Sequence, residues 1–513
     1  MTMTGKEYHD KTSYERRSMK GHTLDWANQP SVYKAYDGLE MLELPVVSSW
    51  PDGKTSDILS AVSTGAAPAL PTLEDLGKAL SLAYGLTARS RHPGGEFYLR
   101  SAPSAGALYP CEIYVASRSA SGLEDGIYHY SMAQGSLVKL RSGAFPHFAA
   151  LRGRPEGVEP CILFYVTAIF FRSAWKYRDR SYRYDLLDAG HVVEGLYMTL
   201  RALRLPVLTT YDFDDEKVNR LLGLDAKREA CLAVAAVLEA QGGSSRAHGD
   251  DAPGAMGGEL PESCRSASRV SPREAIYPLV EAMHTAAFKV IEPVAGDSAE
   301  VGAGPLVERL PTSWMEIGSG GGDAEEMGFV EAVLHRRSRR NFMPGDLRGA
   351  VWKKLAAMLC EPCGGAAEDG VCADGHVGVG FLAAGLEGLE DGFYLLDRAK
   401  RCVGVATPGS GRTLTAAMTH VCLDQEWLRG AAMHFVLLAN LDAIDAALGP
   451  RGYRCAMIAA GRLGHRVYVG ATALGLGCCG IGAYYDGEAA RLLGLQDASR
   501  MLYLLGVGPV KRA

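Results

Sequence analysis

The sequence predicts an α+β fold built twice, as two copies of one domain packed into an intramolecular pseudo-dimer. Three observations point there. Residues 182–224 align with 453–495 at a constant offset of 271, without a gap, and fourteen of those 43 pairs are identical, among them Tyr182/Tyr453, Arg183/Arg454, Gly190/Gly461 and Asp215/Asp486. The pentapeptide GLEDG occurs at 122–126 and again at 388–392. Helical and strand patterns alternate without a regular βαβ rhythm, which favours layered α+β architecture over a doubly wound parallel sheet. A repeat this long is a domain duplication and not a solenoid.

The elements follow in order. Residues 1–60 form a polar arm that lacks clear periodicity and is expected to wrap the body. The first domain, 61–240, opens with a helix over Leu73–Leu86, continues through strands at Cys111–Ser117 and Cys161–Ala168, and carries a long amphipathic helix over Tyr184–Leu203. A Gly-, Ser- and Pro-rich linker is expected over 241–320, with one short helix from Glu274 to Phe288. The second domain, 321–513, repeats the plan: helices near Met327–His335 and Leu347–Leu359, a strand at His434–Asn440, a helix over 453–474 and a strand over 501–507.

Composition narrows the function classes. The chain has 513 residues, 47% of them hydrophobic, and a net charge of −6 from 53 basic and 59 acidic residues. Its one polybasic run is 336–340, so neither nucleic acid nor an anionic membrane is the expected partner. The polar N-terminus resembles no signal peptide, and no uncharged apolar stretch reaches the roughly 18–20 residues of a membrane helix; a cytoplasmic location is expected. Twelve scattered cysteines read as reduced thiols. Cys360 and Cys363 with Cys372 nearby lack a second CxxC pair, so no metal site is expected.

The two copies differ where chemistry would sit. Arg336-Arg337-Ser338-Arg339-Arg340 in the second half faces Ser63-Thr64-Gly65-Ala66-Ala67 in the first. Two guanidiniums and a hydroxyl at R-x-S-x-R spacing suit a phosphate dianion; a solvated cationic helix end would read the same way. The glycines of 475–482 survive only in the second copy, as a close-approach loop or a helix C-cap. Conversely, Pro103-Ser104-Ala105-Gly106-Ala107-Leu108-Tyr109-Pro110 has no counterpart in the second half. Residues from both halves are needed for one complete site. Asp185, Asp188 and His191, three apart on the long helix, read as a polar helix face.

Together, RRSRRNF (336–342), PSAGALYP (103–110), RSAWKYRDRSYRYDLLDAGH (172–191), ALGLGCCGIGAYYD (473–486) and SMKGHTLDWANQPSVYKAY (18–36) resemble the FMN-dependent nitroreductase-like flavoproteins, and among them the SagB-type dehydrogenases associated with azoline oxidation. The resemblance implies a mixed β-sheet flanked by helices in each domain and one FMN between the domains. It implies that Arg336, Arg337, Ser338 and Arg340 hold the flavin phosphate and ribityl chain, with Lys511 and Arg512 closing on the phosphate. Gly480, Ile481 and Gly482 would lie against the isoalloxazine, with backbone N–H groups near N5 and O4. Pro103, Ser104, Ala105 and Gly106 would meet the ring edge from the other domain. Lys176 and Tyr177 match the Lys-Tyr pair of the azoline dehydrogenases, with Lys176 as general base; a lysine packed on Trp175 with Tyr177 as core filler is the other reading. Their second-copy partners are Ala447 and Leu448. The implied reaction removes hydride from a C–N or azoline-like bond of a small-molecule or peptide substrate. The alternatives are an NAD(P)H-dependent nitro- or quinone reductase, or a non-catalytic flavin-binding partner of a biosynthetic complex. The internal pseudo-dimer is compatible with a monomer, and its second, degenerate site is expected to be empty.

Overall fold

The protein is described here by a computed structural model covering residues 2–19, 21–60, 70–92, 95–118, 120–143, 160–238, 260–289, 304–318, 324–362, 374–409 and 411–511. Its first sheet contains β1 (Met41–Glu43), β4 (Cys111–Ser117), β5 (Gly126–Ser131), β6 (Ser136–Ser142), β7 (Pro160–Ile169), β8 (Val207–Thr210) and β9 (Glu229–Leu238), with β2 (Leu86–His92) and β3 (Gly95–Arg100) set apart as a hairpin. The strand order is β1-β6-β5-β4-β7-β9-β8. The second sheet, from β10 (Trp314–Glu316), β11 (Gly378–Ala383), β12 (Gly392–Asp397), β13 (Cys402–Pro408), β14 (Met433–Asn440), β15 (Gly477–Ile481) and β16 (Ser499–Gly508), has the same order, β10-β13-β12-β11-β14-β16-β15. Neighbouring strands pair antiparallel; a parallel bridge joins Ser338 to Cys478 at the outer edge of β15. Two sheets of one topology make the duplication physical, and the α+β assignment stands.

The central strands β7 and β9 are buried along nearly their whole length because helices or loops cover both faces. The helix over Leu73–Tyr84 starts at a capping box, Thr72 and Asp75 exchanging side-chain and backbone bonds. Two short strands lie outside the domain limits drawn from sequence. β1 falls in the arm and β10 in the linker, each an edge strand of three residues, too short to show alternation. The arm does wrap the body: its helix Gly5–Lys11 buries Tyr8 and His9, and Tyr8 packs edge-on against Tyr182 and Tyr453.

The two halves meet along the helices Ser181–Ala202 and Arg451–Ala473, which cross at Gly190 and Gly461, an identical pair at the 271 offset. A Cβ on Gly190 would stand 2.7 Å from the Gly461 Cα, and one on Gly461 would stand 2.9 Å from the Gly190 Cα. Only glycine on both helices lets the backbones touch here. Around the crossing, ion pairs are exchanged reciprocally. Arg183 of the first half reaches Asp486 of the second at 2.7 Å, while the equivalent Arg454 reaches Asp215 at 2.8 Å. Arg180 also binds Asp486, at 2.7 Å, and its equivalent Arg451 binds Asp215. Burial alone would raise the Asp486 carboxyl; Arg180 and Arg183 override it and hold it well below the usual value.

Candidate functional site

A cavity of about 620 Å³ lies between the halves. Its walls include Pro103, Ser104, Ala105, Gly106, Lys176 and Tyr177 from the first half, and Arg336, Arg337, Ser338, Arg340, Gly480, Ile481 and Gly482 from the second. Four stretches singled out in the sequence thus converge on one space.

The first-half wall is built by local geometry. The helix Phe170–Tyr177 ends at Arg178, whose φ of 50° is unusual for a residue with a side chain and stops the helix just after Lys176-Tyr177. The arm clasps this helix from outside. Trp26 packs edge-on against Trp175 at 5.2 Å, Trp175 Nε1 donates to the Asp25 carbonyl at 2.9 Å, and His22 Nε2 lies 3.0 Å from the Lys176 carbonyl. Inside, Gly106 takes a φ of 62°, and a Cβ there would sit 2.7 Å from the Tyr177 hydroxyl and 3.1 Å from Lys176 Nζ. The loop and the Lys-Tyr pair therefore fit together. Lys176 is half-buried, and desolvation, aided by the Arg340 charge, lowers its pKa.

The second-half wall carries the cations. Arg336 is buried; its Nε donates to the Ser101 carbonyl at 2.6 Å and Nη2 to the Arg100 carbonyl at 2.8 Å, while Nη1 has no protein partner. Burial lowers the pKa of this guanidinium. Arg337 is placed differently from expectation. Its Nη1 and Nη2 donate to Thr87 and to the Leu334 and Arg336 carbonyls, so its charge fastens the β2–β3 hairpin even though its side chain borders the cavity. Ser338 Oγ is 3.0 Å from the Tyr468 hydroxyl, and Arg340 is exposed, 5.6 Å from the Trp427 ring centre. Gly480 N–H donates to the Tyr468 hydroxyl at 2.6 Å. That donor is engaged within the protein. Gly482 contributes its carbonyl to Arg180 at 2.9 Å and to Tyr184 at 3.2 Å.

Lys511 is exposed, is not among the cavity walls, and its backbone pairs with Asn341; Arg512, Cys363 and Cys372 lie outside the described residues. Asp185, Asp188 and His191 are buried and not a solvated helix face, because the long helix is covered on every side. Asp188 and His191 border the cavity, together with Tyr184, Tyr468, Tyr503 and Gln425, none of which was singled out as a site residue. A signal for two of them was present: at the 271 offset Asp188 faces Ala459 and His191 faces Arg462. Among the described residues no cluster of His, Cys, Asp and Glu is arranged to hold a metal. Among the described residues nine cysteines are free thiols, eight of them buried, including Cys478 and the cavity-lining Cys479; Cys455 is disulfide-bonded, against the expectation of thiols throughout.

At the position related to this cavity by the pseudo-twofold, side chains bond to one another. Arg462, the counterpart of His191, donates to Glu194 at 2.7 Å and to Thr209 and the Tyr211 hydroxyl, both at 2.9 Å. Thr209 and Tyr211 stand where Gly480 and Gly482 stand in the other half. Arg466 adds a second guanidinium on Glu194, at 2.6 Å.

Fold and cavity define a two-copy α+β protein with a cation-walled cleft on its internal interface. The sequence pattern described as the nitroreductase family matches residues 67–237 and 394–509, once in each copy. A protein of Methanocaldococcus jannaschii named as a nitroreductase is 32% identical over 154 residues, 29% of this chain and 74% of that protein. The trifolitoxin-processing protein TfxB of Rhizobium leguminosarum bv. trifolii is 29% identical over 151 residues, which are 27% of this chain and 39% of TfxB. The crystal structure of a protein from Anabaena variabilis named as a nitroreductase superimposes with a TM-score of 0.72, covering 99% of both chains at 24% identity. The chain belongs to the nitroreductase family, whose members are oxidoreductases. No helix among the described residues is long and apolar enough to cross a membrane.

Proposed function

We propose that the chain is an FMN-dependent oxidoreductase holding one flavin in the cavity between its two halves, and that it acts as a SagB-type dehydrogenase on a C–N or azoline-like bond. The observation that carries this reading is the convergence of 103–106, 176–177, 336–340 and 480–482 on one cavity, whose volume of about 620 Å³ lies within the range of cofactor sites. The residues fit the group. Arg336 presents one unpartnered, buried guanidinium nitrogen, and Arg340 and Ser338 stand exposed beside it, a donor set suited to phosphate oxygens. The flavin, when bound, supplies a two-electron hydride acceptor or donor. Gly106 and Ala105 limit how far a ring can advance toward Lys176, and the Tyr184, Tyr468 and Tyr503 rings exclude water from the inner wall. Lys176 Nζ, kept closer to neutral by desolvation, accepts the proton that a substrate loses as its hydride departs. TfxB, a toxin-processing protein by name, is the relative that favours a modified-peptide substrate.

A second reading, an NAD(P)H-dependent nitro- or quinone reductase, is favoured by the family match and the Methanocaldococcus relative. The deciding experiment is anaerobic mixing of the FMN-loaded chain with NADH or NADPH. A dehydrogenase keeps its yellow flavin for minutes, whereas prompt bleaching by either nucleotide removes the first reading and establishes the second.

A further inference from the structure

Asp188 is the one carboxylate among the described cavity walls, and neither half of the site described above gives it a task. It projects from the middle of the long helix and is buried. Ser104 Oγ lies 2.6 Å from its Oδ2, and the Ala105 N–H reaches both oxygens at 3.3 Å. Ser104 Oγ in turn accepts the Tyr109 N–H at 2.8 Å. Among the described residues no lysine, arginine or histidine pairs with Asp188. The second copy carries Ala459 at this place, so the carboxyl is kept only in the first half, as are Lys176 and Tyr177.

A serine hydroxyl has one proton to donate and two lone pairs to accept with. One lone pair here is committed to Tyr109. When Asp188 is ionised, the serine proton points at it and the cavity sees only oxygen. When Asp188 is protonated, the acid donates to the second lone pair, and the serine proton turns outward into the cavity. The same contact passes a proton inward: a ligand X–H bond breaks as a new O–H bond forms at Ser104 Oγ, and the serine's former proton moves to Asp188 Oδ2. One negative charge leaves Asp188 and appears on the ligand.

We propose that Asp188 and Ser104 form a proton-holding pair at the wall of this cavity, Asp188 being a positioning residue that acts through Ser104 to make the serine a donor or an acceptor toward whatever ring or substrate lies against the 103–106 loop. That a flavin is what lies there rests on the function proposed above; the pair itself does not.

The environment places the switch near neutrality. Desolvation raises the Asp188 pKa to about 7, against the opposing bonds from Ser104 and Ala105. The groups facing it are Tyr109 in the loop before β4 and Cys111 at its start, Tyr177 on the preceding helix, Asp185 and His191 on its own helix, and Tyr503 on β16, with Lys176 and Arg336 across the cavity. Burial holds the three tyrosines and the cysteine neutral, raises the Asp185 carboxyl, and lowers the His191 imidazole.

The test is an infrared difference titration of the flavin-free chain across neutrality, compared with Asp188→Asn and Ser104→Ala. A protonated-carboxyl band that titrates near neutrality is expected in the unaltered chain and lost in Asp188→Asn. In Ser104→Ala its midpoint rises, because a bond that favours the ionised form is gone. A band unchanged in Asp188→Asn, or a midpoint unmoved or lowered in Ser104→Ala, overturns the proposal. The FMN-loaded proteins give the second readout. The pH dependence of the flavin midpoint, read against a reference dye, should break near neutrality in the unaltered chain and run straight in Asp188→Asn; a break that persists in the variant also overturns it. A chain that takes up no FMN defeats the functional reading and leaves the infrared result to decide this one.

Discussion

The Gly190–Gly461 crossing is where the pseudo-dimer is most sensitive to one methyl group. Replacing Gly190 by alanine puts a Cβ 2.7 Å from the Gly461 Cα and closer still to the Ile458 carbonyl oxygen, where ordinary contact begins at 3.4 Å. The obstructing atoms are backbone, so no side chain can swing aside and the two helices must part by about 0.7 Å or more. Overpacking of this kind costs about 1–3 kcal/mol, against a gain of about 1 kcal/mol in helix propensity for Gly→Ala. The net loss on those two figures is up to about 2 kcal/mol, and relative to a glycine that gains the same propensity without a clash it is about 1–3 kcal/mol. The same helices carry Tyr184, Asp188 and Tyr468 into the cavity, so FMN affinity should fall along with stability. The assay is urea unfolding followed by far-UV circular dichroism, with Gly487→Ala as control, since a Cβ there meets only the end of Arg491 at 3.6 Å. Gly487→Ala should be neutral or stabilising. If Gly190→Ala is as stable as this control, the helices do not cross on glycine and the account of the interface is wrong.

Three further outcomes follow from the same geometry. Arg340→Ala removes an exposed side chain with little structural role, so FMN affinity should drop about ten- to a hundredfold, the weight of about 1.5–3 kcal/mol for a charged hydrogen bond, while the unfolding midpoint stays put; isothermal titration with FMN reads the first and urea the second. Lys176→Ala should retain FMN and lose turnover. Because desolvation lowers the Lys176 pKa, activity of the unaltered enzyme should climb with pH through a limb below 10.5 that the variant lacks, as a pH–rate profile will show. Asp486→Asn strips the charge that Arg180 and Arg183 share, and breaking a buried pair in this way costs about 3–5 kcal/mol. Since the folded carboxyl lies well below 3.8, its stabilisation is fully present above the unfolded value and is lost as pH falls toward the folded one; acid unfolding of the variant should therefore be flatter than that of the parent.

Much of this was legible in the sequence, and the reasons are specific. The gapless offset marked the equivalent helices, and the 271 spacing holds beyond the identical residues: the helix Phe170–Tyr177 falls on Leu441–Leu448. Asymmetry between the copies picked out the cavity residues, which lie where the two halves of the repeat differ. The edge strands β1 and β10 were hidden by their length. Arg337 read like its neighbours because a pentapeptide does not show which guanidinium turns toward Thr87. Asp188 was read as a surface residue because spacing of three on a helix usually marks one exposed face, and nothing local reveals that a partner helix, a sheet and a loop enclose it on all sides. Gln425 and Tyr503 come from stretches distant in the chain and carried no pattern that marked them.

The central claim is one flavin site per chain, made from both halves, with Arg462 bonded to Glu194 and Tyr211 at its twin. The direct measurement is the visible spectrum of the chain after saturation with FMN and removal of excess, with released flavin counted against polypeptide after denaturation. About one FMN per chain is the expected result. Two would show that the Arg462 side is an open site after all, and none would remove the flavin from the account altogether.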